Sequence, residues 1–351
     1  MKTRLFTVLA LVLASTFVSW AQPALRLSAE TPTLIYSLPK TEFLFELVIE
    51  KTVEKPGPFV LYAQRFLGAT KAIQEETVSW RLVDVRVSTQ TTPDPARRYA
   101  VSFDPKSALS KLVVDPQGIL TGVNTPLPVH KIEKEIIIND DKKLNVPSQD
   151  VLLPLSREYL QSNNVAKMAE GTANYIQDLR SSRMNLLVAE VEQMPSEGAL
   201  AVILAELDRR EKEMVELFVG SVRVQREVHR IKVSPEKGKL RDVLFRISAK
   251  RGVVARDDMS GEPIFYSFTP EAIPFSAVES STNSKEKVGL YSIYPARTQL
   301  KVDNGVDVIF EESYFLPQFG ELMPLPESLF KSLNLKLSID PETGRLLKLE
   351  N

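Results

Sequence analysis

The sequence predicts an α+β fold in which two β-rich parts, mostly antiparallel, are joined by an αα-hairpin. Three observations support this prediction: alternating apolar and charged residues near the amino terminus, recurring Pro and Gly turn signals, and two apolar stripes of helical spacing in the middle. The predicted divisions are a signal peptide at 1–21, an N-terminal β-rich domain at 22–150, a helical hairpin at 151–219 and a C-terminal β-rich domain at 220–351.

The first twenty-one residues have the pattern of an export signal. A charged start at 1–4 is followed by an apolar run over 5–17, and Ser19 and Ala21 place small side chains three and one positions before Gln22. This pattern predicts cleavage before Gln22, because signal peptidase requires small residues there. We therefore expect a periplasmic or extracellular protein, with no membrane span once the signal is removed.

The composition is that of an ordinary globular protein and narrows the function classes. Lys and Arg number 44 against 45 Asp and Glu, a net charge of −1, which loss of Lys2 and Arg4 with the signal lowers by two to −3. Nucleic acid is not an expected partner, because its binding depends on clustered basic residues. The chain has no cysteine, so disulfides, thiolate chemistry and a lipid-modified cysteine are excluded and no lipoprotein is expected.

The first β-rich part opens with a predicted strand at 34–39 and a second at 41–50. Alternation in the second strand places Phe43, Phe45 and related apolar residues on one face, and directs Glu42, Glu46 and Glu50 to solvent on the other. Pro and Gly residues at 55–58 break the strand. A short helix over 59–67 then follows, which Gly68 ends.

This opening region resembles domain-of-unknown-function family 4831, a family of exported proteins of Bacteroides and relatives. The stretches that carry the resemblance are Tyr36–Thr41, Glu50–Thr52, Lys55–Phe59 and Tyr62–Gly68. The resemblance extends over nearly all of the mature chain. It implies a bacterial host, export and a similar length, and it carries over no catalytic residue because the family has no assigned activity.

Four turn signals predict connections between strands. Three have Pro early and Gly late, at 115–118, 234–238 and 340–344, where Pro fixes φ and Gly can take a positive φ. The fourth, Asn304-Gly305, is typical of a tight hairpin. Further strands are predicted at 221–233, 243–247, 264–268 and 288–294.

Two apolar stripes in the middle of the chain predict the helical hairpin. One stripe runs from Val165 to Leu179 and the other from Leu200 to Phe218. Ser196 is the expected N-cap of the second helix, and Gly220 is its expected end. Charged pairs at a spacing of four residues, Glu206 with Arg210 and Asp208 with Lys212, indicate a solvated outer face.

Motifs for catalysis and metal binding are almost absent, so no catalytic residue, cofactor or metal ligand is assigned. The only histidines, His130 and His229, lie too far apart in sequence for a zinc motif. Acidic runs at 139–141 and 257–261 resemble only fragments of a calcium loop. Ser-x-x-Lys occurs twice, as Ser234 with Lys237 and Ser284 with Lys287, and both occurrences are interpreted as chance.

An aromatic and proline-rich stretch at 314–326 is the one candidate partner or ligand surface. Its candidate residues are Tyr314, Phe315, Phe319 and Met323. Proline makes this stretch a poor central strand. A loop folded over the core is the favoured alternative, because a buried Phe contributes about 1.5–3 kcal/mol.

The expected function is a non-enzymatic binding, assembly or structural component of the bacterial envelope. Its candidate partners are an envelope protein or a glycan, and the oligomeric state stays open. A hydrolase of glycans or peptides that uses two carboxylates is one alternative. A carbohydrate-binding module is another, which would present aromatic residues on one sheet face; the residues that decide this are Trp80, Tyr266, Tyr291, Tyr294 and Tyr314.

Overall fold

The fold is known from a computed structural model that describes residues 33–126, 164–188, 196–273 and 287–350. The predicted signal peptide, His130, the acidic run at 139–141 and Ser284 lie outside these ranges. The described chain is β-rich, and its paired strands are antiparallel.

Twelve strands are described. In chain order they are β1 (Thr33–Lys55), β2 (Thr77–Ser102), β3 (Leu112–Val114), β4 (Leu120–Val123), β5 (Ser221–Val233), β6 (Arg241–Ser248), β7 (Gly252–Val254), β8 (Glu262–Pro270), β9 (Val288–Asp303), β10 (Val308–Pro326), β11 (Lys336–Ile339) and β12 (Leu346–Glu350). They form a three-stranded sheet β2-β1-β5, a five-stranded sheet β10-β9-β8-β6-β7 and a four-stranded sheet β12-β11-β4-β3.

Three α-helices complete the described structure: α1 (Ala63–Leu67), α2 (Val165–Leu187) and α3 (Glu197–Val219). Short 3-10 helices occur at Val60–Tyr62, Ala108–Lys111 and Glu327–Lys331. Helices α2 and α3 are in contact, so the predicted helical pair is confirmed.

The main core lies between the three-stranded and five-stranded sheets. Phe43, Phe45, Leu47 and Ile49 of β1 point into it, as the alternation predicts, and pack against apolar residues of β6, β8, β9 and β10. A second cluster, which includes Tyr36 of β1 and Ile293 of β9, joins these long strands to the four-stranded sheet. The two-part arrangement predicted from sequence is not confirmed, because strands from both segments share sheets: β5 pairs with β1, and β11 pairs with β4.

A third cluster fixes the base of the helical pair to α1. It contains Phe59 and Ala63, Ala169 and Ile176 of α2, and Phe218 of α3. A backbone hydrogen bond of 2.9 Å from the Phe59 amide to the Leu217 carbonyl adds to this contact. The pair is thus attached to the sheets through the short helical region that follows β1.

Helix ends follow the predicted glycines, with one correction. Gly68 and Gly220 end α1 and α3 with φ of 67° and 89°. Ser196 stands at the predicted N-cap position, but its side chain makes no capping hydrogen bond. On α2, the Asn164 side chain accepts hydrogen bonds from the Ala166 and Lys167 amides.

Three of the four turn signals form hairpins: those at 115–118, 304–305 and 340–344 connect β3 to β4, β9 to β10 and β11 to β12. Gly118, Gly305 and Gly344 all have positive φ, as the turn chemistry requires. The signal at 234–238 also forms a turn, but it links β5 to β6, which belong to different sheets.

The polar face of β1 differs from the prediction that Glu42, Glu46 and Glu50 are exposed to solvent. Glu50 is only 4% exposed and is held by Arg81 of β2 and Arg226 of β5, at 2.6 and 3.0 Å. A central strand has neighbours on both sides, and their arginine side chains cover this carboxylate. The local alternation does not contain this information, because both arginines come from other strands.

Charged pairs on the helices are partly as predicted. Glu206 and Arg210 form an ion pair at 2.7 Å. Asp208 does not pair with Lys212 and instead contacts Arg183 of α2 at 2.7 Å, so it links the two helices.

Candidate functional site

A cavity of about 460 Å³ lies where β10 bulges away from β9. Its apolar wall consists of Leu240, Pro270, Ala272, Ile273 and Phe319. Three charged residues, Lys237, Glu271 and Glu321, also line it. The wall therefore comes from the β5–β6 turn, the end of β8 and the bulge of β10.

The bulge in β10 places Phe319 and Glu321 at this cavity. Leu316 pairs with Ala296 and Glu321 pairs with Tyr294, so four residues of β10 span a gap that one residue, Pro295, spans in β9. Proline at 317 cannot donate a ladder hydrogen bond, which favours a break in pairing there. Such bulges often occur beside functional sites because they redirect side chains.

A second bulge, in β2, faces the first. Ser37 pairs with Arg98 and Pro39 pairs with Pro93, so the four residues 94–97 of β2 lie opposite one residue of β1. Arg97 of this bulge donates a hydrogen bond of 2.7 Å to the Pro317 carbonyl in β10. Its side chain also lies 3.8 Å from Asp94, which is 8% exposed.

Gln318 of the β10 bulge contacts β1. Its side-chain amide donates to the Thr41 carbonyl at 2.7 Å, and its side-chain oxygen accepts from the Thr41 amide at 3.2 Å. Gln318 is 9% exposed, and buried hydrogen bonds of this kind fix a backbone in one conformation. We call these contacts, made by Asp94, Arg97 and Gln318, the bulge clasp. The clasp holds Phe319 in place at the cavity wall.

The charged residues of the cavity differ in their contacts. Glu271 lies 3.7 Å from Arg297, and both side chains are largely exposed. Lys237 and Glu321 form no ion pair with any other residue that the structure describes. Two carboxylates and one ammonium group therefore lie around an apolar wall.

The four residues of the predicted surface do not form one surface. Phe319 is 7% exposed and lines the cavity, whereas Phe315 is 53% exposed and lies opposite Arg297 in the β9–β10 pairing. Tyr314 is half-buried, with its ring 5.0 Å from that of Phe43 in an edge-to-face contact. Met323 is half-buried beyond the bulge. Tyr314 and Phe315 are neighbours in the strand and so point to opposite faces. The bulge separates Phe319 and Met323 from them.

The favoured alternative for this stretch, a loop folded over the core, is also corrected. The stretch belongs to β10, the edge strand of the five-stranded sheet. An edge strand tolerates Pro317 and Pro324 because one side of the strand needs no ladder hydrogen bonds. The Tyr314 hydroxyl donates to Glu312 at 2.6 Å, and burial together with this hydrogen bond raises the pKa of Tyr314.

Sequence reasoning missed Lys237, Glu271 and Glu321 as cavity residues. Lys237 was noticed in the Ser-x-x-Lys pattern, whose serine has a buried hydroxyl without a hydrogen-bond partner among the described residues. Glu271 and Glu321 carry no local signal, because only the bulge and the end of β8 bring them to the same cavity.

The aromatic residues that a carbohydrate-binding module would present together lie in different parts of the structure. Tyr266 is 5% exposed in the main core, and Tyr291 stacks on Tyr99 with ring centroids 4.5 Å apart in the second cluster. Trp80 covers Gly252 and lies 5.0 Å from the Lys51 ammonium group. Tyr266 and Trp80 pack at the main core and Tyr291 packs at the second cluster, so these rings do not form one exposed platform.

Across the described ranges, no group of three or more His, Asp or Glu side chains is arranged to hold a metal ion. His229 lies on β5, 3.6 Å from Glu227. In the same part of the chain, every helix is too short or too polar to span a membrane.

Comparison with known proteins gives one match. A family model described as "Domain of unknown function (DUF4831)" matches residues 33–347, which is nearly the whole chain. No curated protein and no solved structure matches.

Proposed function

The chain belongs to the DUF4831 family, and from this premise we propose that it is an exported, non-enzymatic binding or assembly component of the bacterial envelope. Its ligand or partner, an envelope protein or a glycan, binds at the cavity between β10 and the β5–β6 turn. This proposal follows from the geometry of the site, because the family description assigns no activity.

This proposal is supported mainly by the residues that line the cavity and by the bulge clasp that holds one of its walls. Ligand sites are usually apolar clefts of about 300–1,000 Å³ with a few fixed polar groups. The cavity of about 460 Å³ has five apolar wall residues and three charged ones. The bulge clasp supports a preformed site, since buried hydrogen bonds reduce the ordering cost of binding.

The second candidate is a hydrolase, and one observation favours it. Glu271 and Glu321 line the same cavity, and hydrolysis of a glycosidic bond uses two carboxyl groups, one as acid and one as base or nucleophile. This candidate requires turnover, which a binding protein does not show.

The export proposal rests on the pattern of residues 1–21. Cleavage between Ala21 and Gln22 leaves a mature chain that begins with Gln22. We expect the intact mass of protein isolated from its native host to lack these residues. A mass that retains residues 1–21 would contradict export by cleavage.

Single-cysteine variants test the cavity, because the natural chain has no cysteine. Leu240→Cys places a thiol at the cavity wall, where Leu240 is 38% exposed. Leu61→Cys is the matched control, since Leu61 is 83% exposed in the 3-10 helix at Val60–Tyr62. We expect soluble peptidoglycan fragments or an envelope protein extract to slow maleimide labelling of Leu240→Cys but not of Leu61→Cys.

Equal labelling rates with every fraction would contradict binding at the cavity. The same fractions separate the two candidates by mass spectrometry. New cleavage products that disappear in the Glu271→Gln and Glu321→Gln variants would favour the hydrolase.

A further inference from the structure

β5 is an edge strand whose outer edge has no partner strand in the described part of the chain. It is the terminal strand of the sheet β2-β1-β5 and runs for 13 residues. Free strand edges expose amide and carbonyl groups that pair readily with another strand, so natural proteins usually protect them, most often with charged side chains.

That protection is weakened on β5, because its basic residues are neutralised by the neighbouring strand. The ion pairs between β1 and β5 are Glu42 with Lys232 at 3.7 Å, Glu46 with Arg230 at 2.8 Å, and Glu50 with Arg226 at 3.0 Å. On the same face, Val222, Val224 and Val228 are 57%, 40% and 42% exposed. The edge therefore has exposed valines between charges that are already paired.

The opposite face of β5 has a self-complementary pair. Glu227 and His229 lie opposite Ile49 and Leu47 of β1 and so share the core-facing side of the sheet. Within one strand, His229 Nε2 lies 3.6 Å from Glu227 Oε2. When β5 is paired antiparallel with a copy of itself about Val228, Glu227 of each copy also faces His229 of the other. A two-fold axis repeats this contact, so it is formed twice.

Neighbouring registers are less favourable. Moving the axis to Glu227 places two Glu227 carboxylates opposite each other, which is destabilising. Moving it to Arg226 places Glu227 opposite Gln225 of the second copy, so the contacts between Glu227 and His229 are lost. With the axis at Val228, Arg226 faces Arg230 of the second copy, but each keeps its own glutamate on β1. The axis at Val228 also places two exposed valines in contact.

We propose that β5 pairs antiparallel with β5 of a second copy of this chain about Val228, which joins two three-stranded sheets into one six-stranded sheet. The occupant of the edge is thus a second copy, on the grounds of charge complementarity at Glu227 and His229 and of neutralised basic residues. This proposal does not depend on the ligand of the cavity.

Crosslinking of single-cysteine variants of the exported chain tests the register. With a short bismaleimide, Val228→Cys should give a covalent dimer, because the two thiols meet at the axis. Val222→Cys is the control on the same strand and face, since its two copies would lie about 40 Å apart, twelve residues along the strands. The unmodified protein should sediment as a dimer.

Sedimentation as a monomer at every concentration would overturn the proposal, whether the Val228→Cys thiol reacts freely or is covered by another segment. Equal crosslinking of both variants would overturn it as well, because it would indicate random collision.

Variants that reverse the charge at Glu227, alone and together with His229, test the same register through the dimer dissociation constant. Glu227→Lys faces His229 of the second copy and should raise the dimer dissociation constant about tenfold, because two pairs are lost. Adding His229→Glu should restore the affinity, because Lys at 227 then faces Glu at 229. No weakening by Glu227→Lys, or no rescue by the double variant, would exclude this register. Circular dichroism of both variants checks that they fold.

Discussion

At the scale of single residues, Glu50 shows how two arginines stabilise a buried carboxylate. Hydrogen bonds from Arg81, and then from Arg226, lower the pKa of Glu50. The folded pKa therefore lies below the unfolded value of about 4.3. The stabilisation is complete above that unfolded value, and it is lost as the pH falls through the folded pKa.

The variant Glu50→Gln measures this contribution. We expect it to lower the free energy of unfolding by about 1–3 kcal/mol at pH 7, because hydrogen bonds to a charged group are lost. The difference from the unmodified protein should shrink as the pH falls below the unfolded value and through the lower folded pKa, where Glu50 of the unmodified protein takes up a proton. Urea unfolding at several pH values measures both effects.

Glu46→Gln is the control for this prediction, because Glu46 lies on the same face four residues earlier and, among the described residues, forms an ion pair with Arg230 alone. Its effect should stay below about 1 kcal/mol, as for other exposed ion pairs. Equal effects of the two variants, or a Glu50→Gln effect that does not change with pH, would contradict the role assigned to Glu50.

Gly320 is a residue whose side chain is excluded by close backbone contact in the β10 bulge. A Cβ atom there would lie 2.3 Å from the Tyr294 carbonyl oxygen. We expect Gly320→Ala to lower the stability by about 2 kcal/mol, because the strand must shift to admit the methyl group. It should also increase the maleimide reactivity of Leu240→Cys, since the cavity wall moves with the bulge.

Gly198→Ala is the matched control for Gly320→Ala. Gly198 is in the first turn of α3, and no atom lies within 4 Å of the position that a Cβ would occupy. This change should raise the stability by about 0.5–1 kcal/mol, the difference in helix propensity. A thermal melt that shows Gly320→Ala to be as harmless as Gly198→Ala would mean that the bulge is free to move.

At the scale of elements, the helical pair has a supported base and a less supported far end. The cluster that attaches it includes Ile176 of α2 and Met214 of α3, but no residue nearer the far end of either helix. Met184, Leu187 and Val202, towards that end, are 58%, 61% and 70% exposed. Stability within the pair should therefore fall with distance from α1.

Hydrogen exchange and two variants test this gradient. Amides of 180–187 and 200–207 should exchange faster than those of 169–176 and 211–218. Met214→Ala should cost about 2–5 kcal/mol, because Met214 is 3% exposed. Leu204→Ala should cost less, because Leu204 is only half-buried. Uniform exchange along both helices would show that another part of the chain or a partner covers the far end.

At the scale of the whole molecule, β1 and β9 connect two apolar clusters. β1 contributes Phe43 to the main core and Tyr36 to the second cluster, and β9 contributes Leu300 and Ile293 in the same way. The two clusters therefore share strands and should unfold together, because the unfolding of β1 or β9 would disrupt both of them.

Calorimetry of two variants tests this cooperativity. Leu244→Ala removes a side chain from the main core, and Leu337→Ala removes one from the second cluster. Each should cost about 2–5 kcal/mol, and each should shift the same single transition. Two separate transitions, with each variant affecting only one, would instead show that the two clusters unfold independently.

The local sequence predicts those parts of the fold that depend on neighbouring residues. Asn304-Gly305 forms its hairpin and Gly220 ends α3, because backbone conformation at these positions depends on neighbouring residues alone. The alternation that buries Phe43 and Phe45 is likewise visible in the sequence, since it reflects the two faces of one strand. The stretches that carry the family resemblance lie in the same region.

The sequence by itself therefore determined the turns, the helix ends, the two helices and the core-facing side of β1. The tertiary structure alone decided that β5 lies beside β1, that Arg81 and Arg226 bury Glu50, and that Arg97 joins the bulges of β2 and β10. It also brought Lys237, Glu271 and Glu321 to one cavity. The physical reason is that these contacts join residues far apart in the chain, and strand pairing between distant segments leaves no periodic signal in either segment.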